Sequence, residues 1–342
     1  MTNDQTAMQA DDLPVTDTEL LSEEDTRYRR RPVRIVNQMA DEYLELLRKT
    51  DLYEENLNAL ETLVKELLEQ TETPGDADDW HNLSVSLARQ SLFHLACDVL
   101  EGGLRYFPRN IDLLADYLKY GICCNRIEQC KSIYRTLTKI PFKRWSWRGF
   151  SFTIDYLTYL WENTDTQKEL DRLENEMMRI AEAFRAQESD TEESYRCEAE
   201  IRKLLHETDK EEAVLREALA KLNIAPKCAL RLADMLFEHG EYAEALQYIQ
   251  RGLQDAIQAQ RSVNEGYLHF LSGLAKLAML QKDNAPITAE AANDIYSDFE
   301  IAMEQEPHSA FIGTIKVKTI AIVKKSGEPV PEEYEELCAL MA

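Results

Sequence analysis

The residues best suited to binding chemistry lie between Arg105 and Arg148, a segment rich in cations and aromatic rings. It holds ten Lys and Arg residues against three Asp and Glu residues, a net charge of +7 in a chain whose formal net charge is −24. Guanidinium and ammonium groups donate charge-assisted hydrogen bonds to carboxylates and phosphates. Aromatic rings interleave with these cations in the run KIPFKRWSWRGF. The segment therefore favours an acidic partner, held by charge and by aromatic contact.

Residues for catalysis or metal binding do not occur at the spacings that such sites require. The sequence has no GxxxxGK[ST] loop, no GxGxxG turn, no HExxH pair and no GxSxG elbow, and its six His residues lie far apart. Its seven Cys residues form no CxxC pair, so we expect buried thiols rather than disulfides or zinc ligands. We predict that the protein is not an enzyme and uses no metal or other cofactor.

A second cationic cluster lies near the start of the chain. It consists of five arginines within eight residues, Arg27, Arg29, Arg30, Arg31 and Arg34. One interpretation is a docking arm for an acidic or phosphorylated surface; the other is a solvated stretch that pairs with the acidic residues of the chain itself. The preceding residues are polar, acidic and without periodicity, so we predict a disordered tail over residues 1–31.

The elements that must position these residues are helices. From Lys227 to Leu253 an apolar stripe at helical spacing breaks at Gly240 and resumes at Tyr242, which predicts a helix, a tight turn and an antiparallel helix. One such pair cannot bury its own apolar faces, so its neighbours should repeat it. In the preceding pair along the chain, at about residues 195–222, either Ala213 or Ala218 fits as the close-contact residue.

Residues of matching type recur at an interval of 34 positions. The distances from Trp80 to Leu114, from Ala96 to Cys130 and from Leu100 to Tyr134 are all 34. The pattern resembles the tetratricopeptide repeat, and the matching residues are Trp80-x2-Leu83-Ser84-x2-Leu87, Ala96-x3-Leu100-x2-Gly103, and Ala229-x2-Leu232-Ala233-x2-Leu236 with Gly240, Tyr242 and Ala245-x3-Ile249. The resemblance implies an all-α fold, a right-handed superhelical array of antiparallel helix pairs, or α-solenoid. Cys130 takes a small-residue position of the repeat, which favours a packed thiol.

The predicted organisation has four parts. After the tail (1–31) we expect an N-terminal capping helix pair over residues 32–72, a repeat array over residues 73–325 and a C-terminal capping helix over residues 326–342.

The resemblance also implies where a partner binds. In this family the first helix of each pair lines an inner groove, and that register places Arg89, Lys119, Arg148, Phe152 and Tyr156 in the groove. The same register places Tyr117, Tyr134, Trp147 and Phe150 in the core. An equally weighted alternative is that the cations solvate the array and pair with its acidic half.

We therefore predict a non-enzymatic scaffold or adaptor that binds a peptide or protein, expected to be acidic, through a basic and aromatic concave groove. The alternative is a regulatory sensor or accessory subunit of an enzyme that responds to a small peptide or nucleotide. The net charge of −24 disfavours nucleic acid as a partner. No signal peptide and no run long enough to span a bilayer is evident, so we expect a cytoplasmic protein without membrane contact.

Overall fold

The computed structural model describes residues 33–47, 53–69, 75–259, 264–283 and 285–326, and every regular element in these ranges is a helix. The predicted tail, the arginines from Arg27 to Arg31 and all of the predicted C-terminal cap beyond Ser326 lie outside the described residues. The chain divides into two compact units after Pro108.

The described residues of the first unit form two helix pairs. Its helices are α1 (Val33–Leu47), α2 (Tyr53–Leu68), α3 (Ala77–Arg89) and α4 (Phe93–Tyr106). A capping box starts α3, because Asp76 accepts a hydrogen bond from the backbone of Asp79 (3.0 Å) and Asp79 accepts one from the backbone of Asp76 (3.2 Å). The helix then carries Trp80 into the core, where it is 1% exposed.

The described residues of the second unit form five helix pairs and one further helix. In chain order its helices are α5 (Ile111–Cys123), α6 (Ile127–Leu137), α7 (Trp147–Glu162), α8 (Gln167–Gln187), α9 (Glu192–Leu204), α10 (Thr208–Lys221), α11 (Pro226–Glu238), α12 (Tyr242–Ala259), α13 (Glu265–Lys282), α14 (Ala289–Gln305) and α15 (Ile312–Ser326). A single 3-10 turn (Phe142–Arg144) connects α6 to α7.

Four of the turns inside helix pairs share one backbone conformation. Each contains a residue with positive φ, namely Ser91 (62°), Asn125 (61°), His206 (56°) and Gly240 (78°). In each turn the next residue's N–H donates to the carbonyl five positions earlier, as Glu241 does to Leu236 at 2.8 Å. This is the bond pattern of a Schellman C-cap. The intervals from Ser91 to Asn125 and from His206 to Gly240 are both 34 residues, so the turns repeat with the same period as the side chains.

The small-residue positions of the predicted repeat lie in close contacts between helices. Cys130 of α6 is completely buried beside Gly121 of α5, where a Cβ on Gly121 would overlap its sulfur. In α10 it is Ala218 that is completely buried, whereas Ala213 is exposed, and this resolves the register left open by the sequence.

The prediction that Trp147 lies in the core is wrong. Trp147 is 40% exposed, because it is the first residue of α7 and lies at the helix end rather than beside the neighbouring helices. Trp145 from the preceding loop is buried instead, with its ring 5.3 Å from that of Phe150, and its Nε1 donates to the carbonyl of Ile140 at 3.0 Å. Tyr117 and Phe150 are buried as predicted, while Tyr134 is half-buried.

The helices of the second unit form two sets. Each of the first helices α5, α7, α9, α11 and α13 packs against the next in that order, and each also packs against its own second helix, α6, α8, α10, α12 or α14. The described residues thus confirm the predicted all-α fold of tetratricopeptide-like helix pairs. We call the surface formed by the first helices of this unit the first-helix face.

Candidate functional site

The side chains that emerge from α5 and α7 on the first-helix face meet at Phe152. The Nζ of Lys119 lies 5.7 Å above the Phe152 ring and donates a hydrogen bond to Asp155 at 2.5 Å. The Lys119 and Asp155 side chains are 40% and 24% exposed, so the pair is accessible to solvent. An exposed pair of this kind contributes at most about 1 kcal/mol to stability.

Trp147 and Arg148 continue this cluster toward the start of α7. The Arg148 guanidinium lies 4.8 Å from the centre of the Trp147 ring, and the Trp147 ring meets Phe152 edge-on at 6.0 Å. Ser146 caps the helix by accepting a hydrogen bond from Gly149 at 3.2 Å, and this fixes the first turn that carries both side chains. No carboxylate pairs with Arg148 among the described residues. We call Lys119, Trp147, Arg148, Phe152 and Asp155 the α5–α7 cluster.

Exposed cations flank the α5–α7 cluster in sequence. Arg109 precedes α5, Lys139 follows α6, and Lys143 and Arg144 lie in the short turn before α7; all four are exposed. Within the described part of the chain none of the four forms an ion pair. The net positive charge predicted for this segment is therefore available to solvent at its loops.

On α9 the first-helix face is neutralised by its own ion pairs. Arg196 binds both Glu193 and Glu200, and Glu193 also accepts a hydrogen bond from Ser151 of α7 at 3.3 Å. Burial alone would raise the pKa of Glu193, but its bonds to Arg196 outweigh burial and hold the pKa below its ordinary value. Burial prevails at Glu200 and raises its pKa. This part of the face offers an incoming anion little net charge.

The same pattern continues along α11 and α13. Arg231 pairs with Glu211 at 2.6 Å and with Asp234 at 3.2 Å, and Asp234 also accepts a hydrogen bond from Tyr267 at 2.8 Å. Farther along, Asp298 of α14 accepts hydrogen bonds from Ser272 (2.6 Å) and Lys276 (2.8 Å). Arg196 and Arg231 are therefore paired with carboxylates, whereas Arg148 of α7 has no such partner among the described residues.

The structure brings together three of the five predicted groove residues, Lys119, Arg148 and Phe152. Tyr156 is corrected: it is completely buried, with its ring 5.6 Å from that of Tyr134. At about 100° of rotation per residue, position 156 lies about 80° around the helix from position 148, whereas position 155 lies within about 20° of it. Tyr156 therefore turns away from the face that Arg148 and Asp155 share.

The remaining predicted site residues belong to the first unit. Arg89 is the last residue of α3 and is exposed. Arg34 is exposed on α1, while the other arginines of the predicted docking arm, Arg27, Arg29, Arg30 and Arg31, lie outside the described residues.

Two members of the α5–α7 cluster were missed by the sequence reasoning. Trp147 was predicted to lie in the core. Asp155 was not predicted at all, although it follows Arg148 by seven residues, close to two helical turns, and this spacing could have placed both on one face of α7.

The cysteines of the second unit have unreactive surroundings. Burial raises the pKa of the thiols of Cys130 and Cys197 to about 12, and it also raises the pKa of Cys228. Burial raises the pKa of Cys123 too, although this side chain is exposed at the end of α5. Such thiols are poor nucleophiles and poor metal ligands at neutral pH. Among the described residues, no three His, Cys, Asp or Glu side chains are grouped to hold a metal ion.

Comparison with known proteins finds similarity at the level of structure. No family model matches the sequence, and no curated protein matches it. Similar solved structures include the tetratricopeptide repeat protein TTC0263 of Thermus thermophilus (18% identity, TM-score 0.47, 59% of this chain and 99% of that one) and a tetratricopeptide repeat protein of Parabacteroides merdae (16%, 0.44, 79% and 99%). A third is human IFIT1, solved as a dimer with m7Gppp-AAAA (15%, 0.43, 87% and 66%).

The chain has a tetratricopeptide-type fold. That statement rests on its own helix pairs and their period of 34 residues. Identities and TM-scores as low as these transfer no ligand or partner to it. Separately, no helix in the described ranges combines the length and the apolar run needed to cross a bilayer.

Proposed function

We propose that the protein is a non-enzymatic adaptor that binds an acidic peptide or protein segment at the α5–α7 cluster. The observation that carries the proposal is the exposed Trp147 ring with the Arg148 guanidinium beside it at 4.8 Å. An exposed tryptophan next to a cation that lacks a carboxylate partner among the described residues has the composition of an interface hot spot. The absence of a catalytic motif from the sequence supports the non-enzymatic part.

Charge supports an acidic partner. Arg109, Lys143 and Arg144 lie in loops close in sequence to the cluster and bring charge that no described carboxylate pairs with. Lys119 is paired with Asp155, but because that pair is exposed, a partner carboxylate can compete for it at small cost. The rest of the chain is strongly acidic, so it repels an acidic partner elsewhere and directs it to this end of the first-helix face.

Three further parts of the sequence-based prediction stay proposals. Arg89, exposed at the end of α3 in the first unit, is a separate candidate contact for an acidic partner. The arginine arm from Arg27 to Arg34 is a further candidate contact for an acidic surface. A cytoplasmic location remains the expectation from sequence.

The test is fluorescence anisotropy with a labelled peptide of alternating glutamate and leucine, titrated with the full chain. We expect Trp147→Ala and Arg148→Glu each to weaken binding about tenfold or more, because truncating a hot-spot residue typically costs over 1 kcal/mol. Binding should also weaken as salt is raised. Lys316→Glu is the matched control, since it makes the same charge change at an exposed position of α15.

Two results would overturn the proposal. One is equal weakening by Lys316→Glu and Arg148→Glu, which would reduce the effect to net charge. The other is tighter binding of a labelled single-stranded RNA than of the peptide, with the same dependence on Trp147 and Arg148, which would replace the protein partner by nucleic acid.

A further inference from the structure

A cavity of about 580 Å³ opens beside α7, where α6 and α8 approach it. This volume lies within the range of about 300–1,000 Å³ that is usual for small-molecule sites. Its walls come from α6, from the C-terminal half of α7 and from the first turns of α8. It shares no residue with the α5–α7 cluster.

The floor of the cavity is apolar and fixed in place. Tyr156 and Leu173 are completely buried there, and Leu160 adds a half-buried wall. The Tyr134 ring lies 5.6 Å from that of Tyr156, and its hydroxyl donates to Glu176 of α8 at 2.9 Å, which ties α6 to α8 across the cavity. A floor held in this way is ready for a planar or apolar group without rearrangement.

The rim of the cavity is cationic. Lys131 and Arg135 stand one turn apart on α6, Arg172 faces from α8, and Glu169 is the lining carboxylate, so the lining carries a charge of +2 in a chain of −24. Arg172 is bound to Glu169 through two hydrogen bonds of 2.6 and 2.9 Å. Arg135 has no carboxylate partner within the described ranges, and it is exposed.

The cations differ in how readily they take a new anion. The side chains of Lys131 and Glu128, paired at 2.6 Å, are 45% and 81% exposed, so the pair is weak and exchangeable. Arg135 offers a planar fork of donors suited to a phosphate or a carboxylate. Burial raises the pKa of Tyr156 to about 12, so its hydroxyl stays protonated and keeps a donor at the floor.

We propose that this cavity binds a small molecule in which an anionic group, a phosphate or a carboxylate, is attached to an aromatic or other apolar body. The anion lies against Arg135 with help from Lys131, and the body lies over Tyr156, Leu160 and Leu173. The site is distinct from the proposed peptide site, because the two share no side chain.

A matched set of four probes separates the contribution of the anionic group to binding from that of the aromatic body. They are 1-naphthyl phosphate, 1-naphthoate, inorganic phosphate and 1-naphthol, each titrated into the full chain by calorimetry and by thermal shift. We expect naphthyl phosphate or naphthoate to bind at least tenfold more tightly than inorganic phosphate and than naphthol, and the tighter of the two identifies the natural head group. Arg135→Gln should weaken that binding about tenfold or more, and Lys316→Gln should leave it unchanged.

Two variants keep the result interpretable. Arg135→Lys should recover part of the affinity, because it restores charge without the fork. Leu160→Gln should weaken the naphthyl ligands and leave inorganic phosphate unaffected. Equal binding of naphthol and naphthyl phosphate, binding unaffected by Arg135→Gln, or no binding of either anion would overturn the proposal. Neither Arg135 variant should alter acidic-peptide binding, so the two proposals fail separately.

Discussion

Replacing Gly121 by Ala tests the contact on which the repeat packing depends. Gly121 of α5 faces Cys130 of α6, and an added Cβ would overlap the cysteine sulfur while lying 3.5 Å from the Tyr117 ring. Cys130 and Tyr117 are both completely buried, so neither has solvent to move into. The substitution therefore forces the two helices of this pair apart.

The size of the effect follows from two opposing terms. Ala in place of Gly inside a helix stabilises by about 1 kcal/mol, whereas overpacking a core costs about 1–3 kcal/mol. We expect Gly121→Ala to lower the free energy of unfolding by up to about 2 kcal/mol, the overpacking cost less the helical gain. Cys130→Ala alone should cost about 1 kcal/mol, the value of roughly one buried methylene-sized group. In the double variant the new Cβ fills the space that the sulfur leaves, so its stability should return close to that of the wild type.

The measurement is a double-mutant cycle by urea unfolding, with hydrogen exchange of the α5 and α6 amides to locate the change. The expected coupling between the two positions is about 1–3 kcal/mol. Gly313→Ala is the control, because nothing lies within 4 Å of a Cβ at that exposed position of α15. It should leave stability unchanged or raise it by up to about 1 kcal/mol. Additive effects of the Gly121 and Cys130 substitutions would refute the reasoning.

Three further predictions concern the turns, a buried carboxylate and the binding cluster. Gly240 and His206 both have positive φ, a conformation that only Gly adopts without strain. Gly240→Ala should therefore lower stability by about 1 kcal/mol, and His206→Gly should raise it by up to about 1 kcal/mol. Thermal unfolding of the two variants measures whether stability falls in the first and rises in the second. Burial would raise the pKa of Asp298, but the hydrogen bonds of its carboxylate outweigh burial and lower the pKa. The stability that Asp298 contributes is therefore present above its ordinary pKa and is lost as the pH falls through the lowered value. Asp298→Asn should remove that loss below about pH 4 in acid unfolding and cost about 2 kcal/mol of stability at pH 7. Asp155→Asn should release Lys119 and tighten acidic-peptide binding several-fold in the anisotropy assay, and weaker binding would count against the proposed site.

The helix pairs were predictable because their signals are local. Apolar residues at helical spacing and small residues at intervals of 34 report which faces pack, whatever the partner helices are. The turns were predictable only in part. Gly240 is recognisable as a turn residue, but Ser91, Asn125 and His206 adopt the same left-handed conformation without being glycine. A Schellman cap is formed by hydrogen bonds of the backbone, and these restrict the identity of the side chain only weakly.

The candidate site was predicted less completely for a different reason. Lys119 and Asp155 are 36 residues apart, and their pairing depends on α5 and α7 lying side by side. The burial of Tyr156 depends on the rotation of α7 about its own axis, which a repeat register specifies only approximately. The pair of Arg231 with Glu211 likewise joins two helices, across 20 residues of sequence. The pairs of Arg196 with Glu193 and Glu200 are local to α9, and their helical spacing could have predicted them.

By itself the sequence determined that the chain forms stacked helix pairs with a net negative charge and a cationic, aromatic segment near its middle, since periodicity and composition are properties of the chain alone. Only the tertiary structure decided which cations are neutralised by carboxylates of other helices, which tryptophan is exposed and where a cavity opens beside α7. Those outcomes depend on distances between residues far apart in sequence, and such distances are fixed when helices pack.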